Sequence, residues 1–186
     1  MKLYIRNMVC SRCKMSVEKT LLESGLHPHN IELGEVEVEE ELSKEQQKEL
    51  NDALRKNGFE IIDSKKSQTI EKIKNLIVTL IHHSDETPGV NLSEYISSNI
   101  HQDYHYLSNL FSEVEGTTIE KYYIHQRIEK VKELLVYDEL SLSQIADQLG
   151  YSSVAYLSNQ FKKITGFTPS YYKSLKEHKR RNIEEL

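Results

Sequence analysis

The chain has 186 residues, a net charge of −5, two cysteines and no tryptophan. Its longest apolar stretch, from Leu76 to Ile81, is interrupted by Thr79 and is too short to span a membrane. The first residues lack the apolar segment of a signal peptide, and we therefore expect a cytoplasmic protein. Neither a glycine-rich phosphate loop nor paired carboxylates in a recognisable context occur, so we do not expect an enzyme. The acidic overall charge argues against indiscriminate binding to nucleic acids.

Residues 1–64 are predicted to form a small α+β domain. Leu3 and Ile5 alternate with other residue types, which is typical of a strand with one buried face. The residues between and after them, Tyr4 and Arg6, are predicted to face outward. The other apolar residues predicted to lie in strands are Ile31, Leu33, Val36, Val38, Phe59, Ile61 and Ile62.

A second helix is predicted over about residues 43–57. Ser43 and Gln46 have capping-box spacing at its start, and Gly58 ends it. The first helix is predicted directly after the first strand. The predicted element order is therefore βαββαβ, a ferredoxin-like split βαβ arrangement.

The two cysteines, Cys10 and Cys13, lie between the first strand and the first helix. Two thiolates at this spacing can turn towards one ion, and the positive end of a helix favours the thiolate form. Soft thiolate ligands suit Cu(I) or Zn(II), and in a reducing cytosol the pair should not form a structural disulfide. A thioredoxin-like redox pair is an alternative, disfavoured by the small size of the domain. A domain that keeps the motif without binding anything is another.

Zinc usually takes four ligands, so a zinc site would need more than these two cysteines. Candidates are His27 and His29, which flank Pro28 in a predicted loop, or a second subunit; ordinary solvent-exposed histidines are the simpler interpretation. Met8 is expected to pack beneath the cysteine loop. The motif MVCSRC, together with the βαββαβ order of residues 1–63, resembles the heavy-metal-associated domain of copper chaperones and metal-transport ATPases. This resemblance implies metal binding.

The second part of the chain contains a repeat. Residues 91–123 align without a gap to residues 141–173, and 10 of the 33 pairs are identical. Each copy is predicted to form a helix, a tight turn and a second helix, as in a helix-turn-helix. In the second copy Ser141 starts the first helix, Gly150 provides the turn and Gly166 ends the second helix. A helical repeat scaffold is the alternative.

The predicted second domain covers residues 67–181 and is all helical. The polar stretch at residues 63–67 is the predicted boundary, and residues 84–89 are predicted to form a loop. An opening helix is predicted over residues 67–83 and a linker helix between the repeats over residues 118–137. The apolar stripe of the linker contains Ile119, Tyr122, Tyr123, Ile128, Val131, Leu134 and Leu135.

The second helix of a helix-turn-helix enters the major groove of DNA. Asn109 and Asn159 occupy equivalent positions on these helices, and Asn pairs bidentately with adenine; the alternative is that either side chain bonds only phosphate or water. The residues of the second copy predicted to face the core are Val154, Leu157, Phe161 and Ile164. The predicted DNA contacts are His105, Ser108 and Asn109 in the first copy and Ser153, Ala155, Tyr156, Ser158, Asn159, Lys162 and Lys163 in the second.

The two copies differ in charge. Residues 141–181 hold seven Lys or Arg and two acidic residues, whereas residues 89–140 hold four and nine. Because phosphate contacts supply much of DNA affinity, we expect the second copy to be the main anchor, with possible help from the basic run at residues 179–181. The first copy also has Ile100 where the second has Gly150.

Residues 68–176 resemble the C-terminal DNA-binding domain of AraC-type bacterial transcription regulators. The most specific stretch is LSLSQIADQLGYSSVAYLSNQFKKITGFTPSYYK. The resemblance implies two helix-turn-helix units on successive major-groove segments of operator DNA, RNA polymerase as a further partner, and possible homodimers. We therefore predict a metal-responsive transcription regulator that binds Cu(I) or Zn(II). The alternative is a metal-trafficking or interaction module whose helical domain docks a protein.

Overall fold

The computed structural model describes residues 1–62, 65–83 and 91–175. The chain divides into two compact units, Met1–Thr79 with Ile96–Leu110 and Leu80–Tyr95 with Phe111–Leu186. Part of the predicted boundary at residues 63–67, the predicted loop at 84–89 and the basic run at 179–181 lie outside the described residues. Among the helices of the described part, none is long and apolar enough to cross a membrane.

The N-terminal part is a four-stranded antiparallel sheet with two helices. The strands follow the spatial order β2-β3-β1-β4, and Leu3 of β1 lies opposite Val36 of β3. The chain order of the elements is β1 (Lys2–Arg6), α1 (Ser11–Glu23), β2 (Pro28–Glu32), β3 (Glu35–Val38), α2 (Lys44–Arg55) and β4 (Glu60–Ile61).

One face of this sheet forms a hydrophobic core with α1 and α2. Leu3 and Ile5 are buried in it, as predicted, and Met8 is fully buried in the same core. Ser43 and Gln46 form the predicted capping box at the start of α2. The prediction of a loop around Pro28 was wrong, because Pro28 begins β2, a position where its missing N–H is tolerated.

The opposite face of the sheet contacts α3 (Lys65–Val78), which continues as a π-helical turn over Thr79–His83. Tyr4 and Arg6, predicted to face outward, lie on this side. The guanidinium Nε of Arg6 is 3.4 Å from the carboxylate of Glu71, and Lys72 Nζ is 5.4 Å from the Tyr4 ring centroid. These side chains therefore meet a helix that the sequence assigned to the DNA-binding domain.

Two buried polar residues of α3 have partners on the sheet. Glu71 is only 6% exposed and pairs with Arg6. Asn75 Nδ2 donates to the carbonyl of Leu33 at 3.0 Å, beside Gly34, whose φ is +83°. A hydrogen bond or an opposite charge compensates each group for its loss of solvent, so the polar contacts fix how α3 lies on the sheet.

The remaining helices follow the predicted repeat. Their bounds are α4 (Leu92–Ile100), α5 (Tyr104–Glu115), α6 (Ile119–Tyr137), α7 (Leu142–Gln148) and α8 (Val154–Thr165), and residues 169–175 are also helical. Both ends of α5 and α8 differ by the 50 residues of the repeat. The turns differ, because Gly150 has φ 65° in the second copy whereas His101 has φ 58° in the first. The residue with a left-handed backbone conformation therefore lies one position later in the first copy than in the second.

The second copy packs against α6 around one core. Leu157 and Phe161 of α8 are fully buried there, together with Ile128 and Val131 of α6. Ile164 is half-buried against this core, but the prediction that Val154 faces inward was wrong, because its side chain is 37% exposed. Val154 is the first residue of α8, where the chain has only just left the turn.

Candidate nucleic-acid interface and dithiol site

Helix α8 presents a short polar surface. Its N-cap Ser153 accepts a hydrogen bond from the backbone N–H of Tyr156 at 3.1 Å, which fixes where the helix begins. Leu157 and Phe161 anchor the opposite side in the core. Of the residues predicted to contact DNA, Ser158 is half-buried, and those that are exposed are Ser153, Ala155, Tyr156, Asn159, Lys162 and Lys163.

The equivalent helix of the first copy, α5, differs in chemistry. His105 and Asn109 are exposed and Ser108 is half-buried. The side-chain amide of Asn109 lies 3.1 Å from His105 Nε2, so these two residues contact each other, whereas Ala155 offers Asn159 no such partner. The last turn of α8 carries Lys162 and Lys163, whereas Glu113 and Glu115 of α5 replace Lys163 and Thr165. The exposed surface of the second copy is therefore the more cationic one.

Arg127 of α6 supports the turn before α8, a role that the sequence alone does not predict. Its Nη2 donates to the carbonyl of Leu149 at 2.6 Å, and its guanidinium carbon lies 3.7 Å from the Tyr151 ring centroid. Burial raises the pKa of Tyr151, although the charge of Arg127 opposes the shift. In the sequence Arg127 is a charged residue four positions after Tyr123, beside the apolar stripe of the linker helix, and nothing there indicates its contacts with Leu149 and Tyr151.

The dithiol site lies where β1 leads into α1. Cys10 is the N-cap residue of α1, and its sulfur is 3.3 Å from that of Cys13. Groups at the start of α1 lower the pKa of Cys10: the backbone N–H of Cys13 contributes most, and the Cys13 thiol and the charge of Arg12 act in the same direction. Burial opposes this shift only in part. The geometry thus favours a thiolate at Cys10.

The donor set of this site fits a soft metal ion. Two metal–sulfur bonds of about 2.3 Å span at most about 4.6 Å, so both sulfurs can reach one ion. The other proposed ligands are engaged elsewhere, because His27 Nδ1 lies 2.5 Å from Glu40 and His29 Nε2 lies 3.3 Å from Glu37. No group of three or more His, Cys, Asp or Glu side chains able to hold a metal ion occurs among the described residues.

Comparisons with known proteins identify the helical part. A family model described as "Helix-turn-helix domain" matches residues 96–174. The chain is 27% identical over 115 residues to the uncharacterized HTH-type transcriptional regulator YtdP of Bacillus subtilis, which covers 62% of this chain. The chain spans only 15% of that relative's length.

Two solved structures share the helical fold. The C-terminal domain of AraT, a response regulator from Geobacillus stearothermophilus, aligns with a TM-score of 0.52 and 26% identity over 60% of this chain and 88% of that one. The DNA-binding domain of AdpA in complex with a target DNA aligns with a TM-score of 0.51 and 18% identity, over 59% of this chain and 96% of that one.

These findings define the class of the C-terminal part. Residues 96–174 form a helix-turn-helix domain, and the Bacillus subtilis relative of this part is described as a transcriptional regulator.

Proposed function

We propose that the protein is a sequence-specific, DNA-binding transcription regulator that responds to Cu(I) held by Cys10 and Cys13. The observation that carries the DNA-binding part is the surface of α8, which turns Asn159, Lys162 and Lys163 outward while its apolar residues are anchored in the core. A helix built in this way suits insertion into the major groove, with lysines on phosphates and Asn159 on a base edge.

The DNA-binding proposal is tested by a salt titration with random duplex DNA. We expect the logarithm of the binding constant to fall linearly with the logarithm of salt concentration. Lys162→Ala and Lys163→Ala should weaken binding to all duplexes and flatten this slope. Asn159→Ala should keep the slope but lose discrimination at one base pair, about 1–3 kcal/mol for a bidentate Asn–adenine pair.

A binding constant that does not depend on salt would contradict this proposal. It would favour instead the alternative function, an interaction module whose helical domain docks a protein partner. Identical base preferences of the parent and Asn159→Ala would remove the reading role of Asn159 while leaving the phosphate contacts in place.

The metal-binding proposal rests on the dithiol geometry and on the fold around it. The strand order β2-β3-β1-β4 and the chain order of the N-terminal elements support a ferredoxin-like domain of heavy-metal-associated kind. The two cysteine sulfurs lie 3.3 Å apart at a helix N-terminus, and once deprotonated they would form a complete donor set for two-coordinate Cu(I), whereas Zn(II) would take further ligands from a second copy.

The test uses reduced, anaerobically purified protein. We expect one Cu(I) per chain by elemental analysis, and loss of nearly all affinity in a Cu(I) competition assay for Cys10→Ser with Cys13→Ser. The control is His27→Ala with His29→Ala, which should bind Cu(I) as the parent does because both histidines already pair with glutamates. Parent-like affinity of the double serine variant would rule out the site. One Zn(II) per two chains by native mass would assign zinc instead.

The contact of α3 with the sheet supports a metal response. β1 carries Arg6, which pairs with Glu71 of α3, and the chain reaches Cys10 four residues later. A change in the cysteine loop therefore acts close to the residues that hold α3. Metal can alter DNA affinity only by binding more tightly to one of two arrangements, and α3 docked or shifted on the sheet provides such a pair.

A further inference from the structure

The contacts of Arg127 extend to α8, the proposed recognition helix. We propose that Arg127 is a positioning residue that orients α8 for base reading from behind the proposed DNA-facing surface. The inference deepens the DNA-binding function proposed above and rests on it.

The first contact of Arg127 is with the end of α7. Leu149 is the C-cap residue of α7, and its carbonyl accepts a hydrogen bond of 2.6 Å from Arg127 Nη2. Carbonyls at a helix end lack partners within the helix, so a charged donor from α6 satisfies one that would otherwise be unpaired. Arg127 thereby ties the end of α7 to the linker helix.

The second contact is with the turn itself. The guanidinium lies 3.7 Å from the Tyr151 ring centroid, well within the range of a cation–π interaction. Tyr151 is 6% exposed, and its backbone N–H donates to the carbonyl of Ala146 at 2.8 Å. The backbone of Tyr151 is therefore bonded to the last turn of α7, while its ring packs against the arginine.

The third contact links Tyr151 to α8. The hydroxyl of Tyr151 donates to Gln160 Oε1 at 2.9 Å, and Gln160 follows Asn159 directly in the helix. A base-reading side chain has to be held within about 0.5 Å of its productive position by residues that are themselves fixed. The path from Arg127 through Tyr151 to Gln160 does this for Asn159.

The first copy has no equivalent path. The repeat puts His101 where the second copy has Tyr151, and Leu110 where it has Gln160. Neither residue can reproduce the hydroxyl–amide bond. The contact path from Arg127 to Gln160 is therefore a feature of the second copy. This is the copy with the two lysines on α8 and the one proposed to be the main anchor.

The experiment uses the full chain and two duplexes: one enriched by the parent from a random pool, and one of unrelated sequence. We expect Arg127→Met to lower the preference for the enriched duplex about tenfold or more, as for a lost base contact, without changing the salt slope. Lys132→Met is the matched control, since it removes the same charge from α6 at a position where Lys132 pairs with Glu129. It should keep the parent preference.

Two further variants separate positioning from folding. Arg127→Lys keeps a positive charge near Tyr151 and should recover part of the preference. Tyr151→Phe removes only the hydroxyl. The loss of duplex preference in the double variant Arg127→Met with Tyr151→Phe should be smaller than the sum of the two single losses, because both residues act on one path.

An unchanged preference in a folded Arg127→Met variant would overturn the inference. A salt slope reduced by about one phosphate contact would also do so, because Arg127 would then touch DNA directly. If Arg127→Met loses its helical circular dichroism, Arg127→Lys and Tyr151→Phe decide in its place, and parent-like preference in both would refute the role. A parent without salt-dependent duplex binding would overturn the DNA-binding proposal itself, and this inference with it.

Discussion

The close approach of Gly34 to Asn75 makes the docking of α3 on the sheet directly testable. A Cβ added at Gly34 would lie 2.3 Å from Asn75 Nδ2, so Gly34→Ala must displace the side chain that bonds the Leu33 carbonyl. Asn75 is only 8% exposed, so a displaced amide would lose its partner while still largely buried. The substitution should therefore loosen α3 from the sheet without touching the core on the other face.

The magnitude follows from two separate costs. An alanine at φ +83° is strained by about 1–2 kcal/mol, and leaving a buried polar group unpaired costs about 1–3 kcal/mol. We therefore expect Gly34→Ala to lower the free energy of unfolding by about 2–5 kcal/mol. Gly58→Ala is the matched control, since Gly58 has φ +82° and a Cβ there meets nothing within 4 Å. It should show the strain alone.

Urea unfolding and hydrogen–deuterium exchange provide the measurement. Exchange reports local opening, so peptides covering α3 should lose protection in Gly34→Ala and keep it in Gly58→Ala. Equal destabilisation of the two variants, with unchanged protection of α3, would refute the proposed docking contact.

Three further predictions concern the dithiol loop, a surface ion pair and a helix cap. Cys13→Ala leaves Cys10 as the single thiol. Its alkylation rate should rise with pH around a midpoint below the ordinary pKa of 9.0, because the backbone N–H of residue 13 remains. A midpoint at or above 9.0 would contradict this prediction. By NMR, His27 should titrate above its ordinary pKa of 6.5, because Glu40 stabilises the protonated ring, so the pair weakens as pH rises through the raised pKa. Glu40→Gln should remove that shift, and an unchanged titration would exclude the pair. Ser141→Ala should cost about 0.5–2 kcal/mol in urea unfolding through loss of the α7 cap, and no measurable loss would argue against it.

Features that depend on neighbouring residues were predictable from the sequence. The capping pairs at Ser43 and Ser141 form as predicted, and the matched bounds of α5 and α8 follow the repeat. Each depends on spacing, on a cap or on a glycine within a few residues. Val154 was misplaced because helical periodicity does not fix how the first residue after a turn is oriented.

Polar contacts between distant residues were not predictable. Glu71 and Asn75 look like a solvent-facing pair four residues apart, yet Glu71 pairs with β1 and Asn75 with the turn between β2 and β3, each more than 40 residues earlier. In the sequence Arg127 looks like any other charged residue of a linker helix. Its contact with Tyr151 forms in the folded structure. Apolar burial follows from composition and period, whereas the partner of a buried polar group depends on the packed tertiary structure.

The docking of α3 also predicts how a metal response can be abolished without damage to either site. If Cu(I) acts through α3, the operator affinity of the parent should change with metal by about 5–150-fold, the usual range of such coupling. Asn75→Ala removes the hydrogen bond to the Leu33 carbonyl and should bring this ratio towards one, while Cu(I) affinity and metal-free DNA affinity stay close to those of the parent. The control is Asn51→Ala, which removes the 2.8 Å hydrogen bond from the Ile61 N–H on the α2 side of the domain. It should cost similar stability and leave the ratio intact. A parent-like ratio in folded Asn75→Ala would mean that metal acts by another route, because a coupling that survives undocking cannot depend on the docked contact.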